Sequence, residues 1–258
     1  MMVTCSPGQR IRMDLLIGTL WLRPYVFGFL LVFLIAGTAD LGRRRTLLFA
    51  ACMAPVAWVA EFCSTRVGVP FGWYQYTGLT RDRELFVADV PLMDSLSFTF
   101  LAYAAFCLAR VVLAGRPWRP RTTTLLTGVF MVLLDVVIDP LAVRGDRWFL
   151  GRIFYYVEEG VYFGVPLSNF VGWLVVGVVG VGIYLALAGA PPARRPWLGV
   201  ALYYAVLGFN LAVTAWIGEW PLLVIGTALH VLVAIGLKGF RSQRATAVSG
   251  VSEREVQV

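Results

Sequence analysis

The sequence predicts an all-α protein, a polytopic transmembrane helix bundle of about seven spans. Three observations predict it. Of the 258 residues, 59% are hydrophobic, and the mean hydropathy is +0.76. Apolar runs of about 20 residues recur along the chain, the length a helix needs to cross a bilayer. The runs are continuous rather than alternating. A backbone that must satisfy its own hydrogen bonds in lipid then does so as helix and not as barrel strand.

The first span is expected at about 24–40, with an amphipathic approach over 13–22. The second falls at 46–64, the third at 90–114 and the fourth at 122–143. The fifth covers 164–190, the sixth 197–217 and the seventh 221–240. Residues 1–240 read as one transmembrane domain and 241–258 as a polar, disordered tail. Arg10, Arg12 and Arg23 precede the first apolar run, which exceeds a signal-peptide core and lacks a small-residue cleavage site after it. It is expected to be retained, with Met13 an alternative start. With seven spans, the larger share of the 22 Lys and Arg residues lies on the side of the C-terminus. The positive-inside rule then predicts a cell-membrane protein with a cytoplasmic C-terminus.

Charge and composition exclude several classes. The net charge of +7 is scattered over loops rather than gathered on one soluble face, which disfavours nucleic-acid binding. Cys5, Cys52, Cys63 and Cys107 form no CxxC, so they read as small apolar filler. His230 is the only histidine, too few for a histidine-rich di-iron centre, and is expected to hydrogen-bond within the bundle. The only lysine, Lys238, lies at the end of the last span and not in its middle, where a retinal protein needs its Schiff base.

The polar residues of the spans gather toward one leaflet. Glu61 lies near the end of span two, Asp94 opens span three, and Asp135 and Asp139 close span four. Ser168 and Asn169 open span five, Asn210 lies late in span six and Glu219 follows it. The two long loops on the same side hold Trp73, Tyr74, Tyr76, Trp148, Tyr155, Tyr156 and Tyr162. Solubilising helix ends alone would show no such bias, so the convergence points to one site. Buried carboxylates are costly in lipid and mark function by default.

Asp135 and Asp139 share a helix face one turn apart. In a low dielectric only one of them ionises cheaply, leaving a neutral acid beside a carboxylate, the equipment of acid/base catalysis. Two other readings stay open: salt bridges to Arg144 or Arg147, or a DxxxD metal site. The metal reading wants a second acidic cluster for a diphosphate, which is not present in the expected form, so no metal ligand is assigned. Glu61 is a second proton donor or an interfacial partner of Arg66. Asp94 could cap its helix, as could Ser168 and Asn169. Glu158 and Glu159 read as solvated. The loop rings either mark the bilayer interface or line a slot for a long apolar substrate and face a developing carbocation. The segments 68–72 and 163–166 share Phe-Gly and Val-Pro pairs and read as similar re-entry turns without an internal repeat.

These residues together resemble the integral-membrane carotenoid hydratases, the γ-carotene and bisanhydrobacterioruberin hydratase type. The resemblance rests on Glu61 with Thr65, Gly68, Pro70-Phe71-Gly72 and Tyr76, and on Asp135-Val-Val-Ile-Asp139-Pro140 with Ala142-Val143 and Trp148. It rests most on Tyr162-Phe-Gly-Val-Pro-Leu-Ser-Asn169-Phe170, ending in Gly172-Trp173. The other spans match only in hydropathy. Glu158-Glu159, just before the best motif, and Asp94, where an apolar or aromatic residue is expected, depart from the pattern and bear on substrate choice.

The resemblance implies a cofactor-independent hydratase of the acyclic end of a carotenoid. A neutral acid would protonate the terminal double bond, and water would attack the tertiary cation. Asp139 or Asp135 is assigned the acid or water-positioning base, with Glu61 the alternative acid. Asn169 and Tyr162 are assigned to orient water or carboxylate. Trp73, Tyr76, Trp148, Phe163, Trp173 and Asp94 are assigned to substrate binding. The implied partners are a carotenoid, water and the lipid bilayer, with contact to other carotenoid-pathway enzymes. A membrane carotenoid cyclase using the same protonation, or a non-enzymatic lipid or pigment carrier, remain the rivals.

Overall fold

The computed structural model describes residues 7–192 and 194–236. Cys5, Lys238 and the predicted tail over 241–258 lie outside the described residues, as does the end of the seventh predicted span. The described chain is helical, with two small two-stranded sheets at one end. α1 (Pro7–Leu22) and α2 (Pro24–Asp40) meet at a bend of 87°. Pro24 sets that bend: it restricts Arg23 before it and begins the new helix, where its missing N–H costs nothing.

α3 (Arg43–Val67), α4 (Leu92–Val112), α5 (Pro120–Ala142), α6 (Leu167–Ala188) and α7 (Pro196–Trp216) are each long and apolar enough to cross a bilayer. The bent α1–α2 pair makes a sixth span by the same measure. α8 (Trp220–Gly236) is a shorter apolar helix where the seventh span is expected. The helix bundle expected from the sequence is thus the observed fold, and the boundaries differ by a few residues. α3 stops at Gly68, whose left-handed φ of +76° lets its N–H return to Ser64 O.

α4 is the central helix and touches α2, α3, α5 and α7. Its middle is buried on every side, including Ala102, Ala104, Ala105 and Ala109, whose small side chains admit close neighbours. Apolar side chains such as Leu31, Ile35, Leu125, Leu187 and Leu232 point outward from the other helices. Such a surface is stable against lipid rather than water, and the protein is a multi-pass membrane protein.

The two long loops meet at one end. β1 (Tyr74–Tyr76), between α3 and α4, pairs antiparallel with β4 (Phe154–Tyr156), between α5 and α6, with Gln75 opposite Tyr155. A short hairpin, β2 (Phe86–Val87) with β3 (Val90–Pro91), leads into α4. The motifs that carry the resemblance also pack on each other. A side chain at Gly72 (φ +93°) would come within 2.8 Å of Ser168 Oγ and 3.0 Å of the Pro166 ring. One at Gly172 would run into the Phe71 ring. Small residues therefore let the α3–α4 loop lie directly on the start of α6.

Candidate active site

Helix ends and the β1–β4 ribbon line a half-open cavity of about 150 Å³. Its wall takes residues from α2 to α7 and from both long loops. Glu61 reaches it from α3, Asp94 from α4 and Asp139 from α5. Most of the remaining wall is aromatic or aliphatic: Phe71, Tyr74, Phe98, Trp148, Phe154 and Trp173 among others. Phe98 and Trp173 lie 4.6 Å apart between ring centres.

Each carboxyl group has a distinct set of partners. Glu61 is buried and accepts a hydrogen bond from Ser95 Oγ of α4. The Tyr76 hydroxyl reaches both Glu61 and Asp94. Asp139 accepts from Trp173 Nε1 at 3.2 Å, and the Tyr156 hydroxyl also reaches it. Behind it, Asp135 is fully buried and accepts from Asn169 Nδ2 at 2.6 Å. Asp135 and Asp139 lie within reach of each other. Two carboxylates offer only lone pairs, so that contact bonds only when one of them carries a proton.

The phenols of the ribbon lie outside the spanning helices. Burial raises Tyr74, Tyr76 and Tyr156 well above the usual phenol range, and the neighbouring carboxyl groups add to the shift. Their hydroxyls therefore stay protonated and keep donating across the neutral range.

Of the residues assigned from sequence, Glu61, Asp94, Asp139, Asn169, Tyr76, Trp148 and Trp173 stand on this wall. Asp135 supports it from behind through Asn169. Trp73, Phe163 and Tyr162 do not reach the cavity. Alternation along β1 turns Tyr74 and Tyr76 inward and leaves Trp73 53% exposed. Tyr162 donates to Val136 O at 3.3 Å and packs edge-on against Phe163 and Phe170. Phe163 occupies a turn with φ +51°.

The competing structural readings also meet their geometry here. Arg144 and Arg147 pair with Glu219 rather than with the aspartates. Arg66 pairs with Asp89 and stacks over Phe62, away from Glu61. α6 begins at its Pro166 cap without a side-chain capping bond, and Asn169 is engaged by Asp135 instead. Glu158 and Glu159 are exposed. Among the described residues no three His, Cys, Asp or Glu side chains converge closely enough to share a metal ion.

Sequence reasoning missed Arg23 and Glu84. Both are buried, and the guanidinium Nε and Nη2 donate to the two Glu84 oxygens at 3.0 and 2.9 Å. Nη1 lies 3.3 Å from Asp94 Oδ1. The available signal was an arginine directly before Pro24, between two apolar runs, where charge flanking a span reads first as an orientation signal.

A family model described as carotenoid biosynthesis protein matches residues 21–233. Among curated proteins, the bisanhydrobacterioruberin hydratase of Haloarcula japonica is 29% identical over 204 residues, covering 76% of this chain and 67% of that protein. No solved structure matches the chain.

Proposed function

The chain belongs to the carotenoid biosynthesis protein family, and from that premise we propose that it hydrates the terminal double bond of an acyclic carotenoid end group. The observation that carries the reading is one cavity in which Glu61, Asp94 and Asp139 share a wall with aromatic rings. A hydratase relative at 29% identity supports the same reaction type.

The reaction is an acid/base addition. A neutral carboxylic acid gives its proton to the less substituted carbon of the alkene, leaving a tertiary cation. Neighbouring ring faces stabilise that charge by about 1–2 kcal/mol each where well placed. Water adds its oxygen to the cation, and a carboxylate takes the water's proton. One alkene and one water become one tertiary alcohol. Nothing is oxidised or reduced, so the balance calls for no redox cofactor. The acid ends as carboxylate and the base as acid, and proton exchange with water resets them. General acid/base groups in such steps are worth roughly 10²–10⁴-fold each. The charge distribution further supports a cytoplasmic C-terminus, with the cavity toward the opposite leaflet.

Expression in cells that accumulate lycopene or γ-carotene tests the proposal. The expected product is heavier by one water for each modified end. A product of unchanged mass with shifted retention would indicate a cyclase, and no conversion would leave a carrier. Asp139→Asn is expected to abolish conversion while the protein accumulates normally in the membrane. Full activity in that variant would remove Asp139 from the catalytic assignment.

A further inference from the structure

The carboxyl groups of the cavity keep unlike company, and the difference divides the work between them. Among the described residues, Arg23 is the one Lys or Arg on the wall. It sits at the α1–α2 bend with 1% of its side chain exposed. One edge of the guanidinium is occupied by Glu84, two-pronged. The Glu84 segment is itself tied to α1, because Leu85 N donates to Thr19 Oγ1 at 3.0 Å. The remaining nitrogen, Nη1, faces Asp94. A guanidinium held this way cannot give up its proton and does not swing. It favours Asp94 as a carboxylate. Glu84 takes the other edge of the guanidinium and does not line the cavity, so Asp94 is the member of the triad that faces it.

The Asp135–Asp139 pair is built differently. Its partners are Asn169, Trp173 and Tyr156, none of them a cation. Asp135 Oδ1 is buried without a partner among the described residues. A pair of neighbouring carboxyl groups with no cation holds a proton between them. Asp139 lines the cavity, and Asp135 lies behind it, buried and bonded to Asn169.

We propose that Asp94, held by Arg23, is the base that takes the proton of the attacking water, and that the Asp135–Asp139 pair is the acid that protonates the alkene. This assignment rests on the hydration reading. Asp94 and Asp139 are then catalytic residues on separate helices, and Arg23 is a positioning residue acting through Asp94.

The two steps separate in D₂O. An alkene that is protonated but not captured by water loses a proton again and returns as alkene carrying deuterium. Membranes holding each variant are given an acyclic carotenoid in D₂O. Products and recovered substrate are then weighed. Asp94→Asn is expected to lose hydration on the order of 100-fold while deuterium still washes into recovered substrate. Asp139→Asn is expected to lose both. Arg23→Lys keeps the charge and is expected to retain hydration within about 10-fold. The double variant Arg23→Met/Glu84→Met replaces the buried pair by apolar side chains, which commonly preserves folding, and is expected to behave as Asp94→Asn. Loss of both signals in Asp94→Asn, or wild-type hydration in it, would overturn the assignment. Should the wild type give neither hydrated product nor wash-in, the hydration reading itself fails. Wild-type hydration without the split between variants removes only the division of roles.

Discussion

Asp40 shows what a buried carboxylate does where no chemistry is asked of it. It closes α2 at the end of the bundle away from the cavity and is 0% exposed. Arg110 Nη1 and Nη2 donate to it at 2.5 and 3.2 Å, and Arg195 N donates at 3.0 Å. Arg110 also donates to Pro192 O at 2.8 Å. The group therefore ties α2, α4 and the α6–α7 connection with every partner engaged. Asp139 differs on each count: its bonded partners include no cation, it faces a cavity, and another acid lies within its reach. The contrast yields a stability prediction. Arg110→Met strands Asp40 in an apolar surrounding and is expected to cost about 3–5 kcal/mol. Thermal unfolding in detergent should show a lowered midpoint. Asp40→Asn/Arg110→Met is expected to recover most of the loss, since the uncompensated charge is gone. Hydration at a temperature where both variants stay folded should be unchanged.

At the scale of elements, the spans were legible because hydropathy alone places a helix in lipid, and counting about seven apolar runs needs no tertiary information. The site was legible in part for a related reason. An up-down bundle sorts helix ends by leaflet, so the order of the spans by itself puts Glu61, Asp94, Asp139 and Asn169 on one side. The β1–β4 ribbon was not legible. Three residues carry too little alternation to declare a strand, and nothing local pairs Gln75 with Tyr155, 80 residues on. Arg23 was hidden differently: its partners Glu84 and Asp94 come from a loop and a helix far along the chain. The ribbon matters because it delivers Tyr74, Tyr76, Phe154 and Tyr156 to the cavity from two loops at once. Gln75 is exposed and its side chain only meets Tyr155 Oη, at 3.1 Å. Gln75→Pro removes a strand N–H without touching the bundle core. Accumulation in the membrane is expected to match wild type while hydration falls by about 10-fold or more, as the tyrosines lose their placement. Undiminished hydration would show that the cap is dispensable.

The whole molecule poses a question of length. A cavity of about 150 Å³ accepts a benzene-sized group, so it suits an isoprenoid end and water but not an entire polyene. On the hydration reading, the rest of such a substrate would extend out between helices. α2 and α7 offer a route. Val26 and Phe29 of α2 and Val206, Phe209 and Asn210 of α7 line the cavity. Further along the same two helices, Val32, Ile35 and Ala36 face Leu198, Ala201, Leu202 and Ala205 across an apolar groove of about 280 Å³. Val26, Phe29 and Ala36 share one side of α2, and Leu198, Leu202, Val206 and Phe209 one side of α7, while Val32, Ile35 and Ala201 turn outward; from Val26 to Ala36 is about 15 Å along the axis. The alanines Ala201 and Ala205 keep the groove wide, and Ala201 is exposed at its lipid-facing side. Ala201→Phe is expected to fill the groove without disturbing the core, because its side chain points outward. For a long acyclic carotenoid, KM is expected to rise about 10-fold or the rate to fall by as much, since an inserted ring displaces roughly one buried isoprene-sized contact of 1–2 kcal/mol. A short acyclic isoprenoid with the same end group should be hydrated as by wild type, because it never enters the seam. If both substrates suffer equally, the variant acts on the cavity itself and the polyene leaves elsewhere. If neither suffers, the groove holds only lipid.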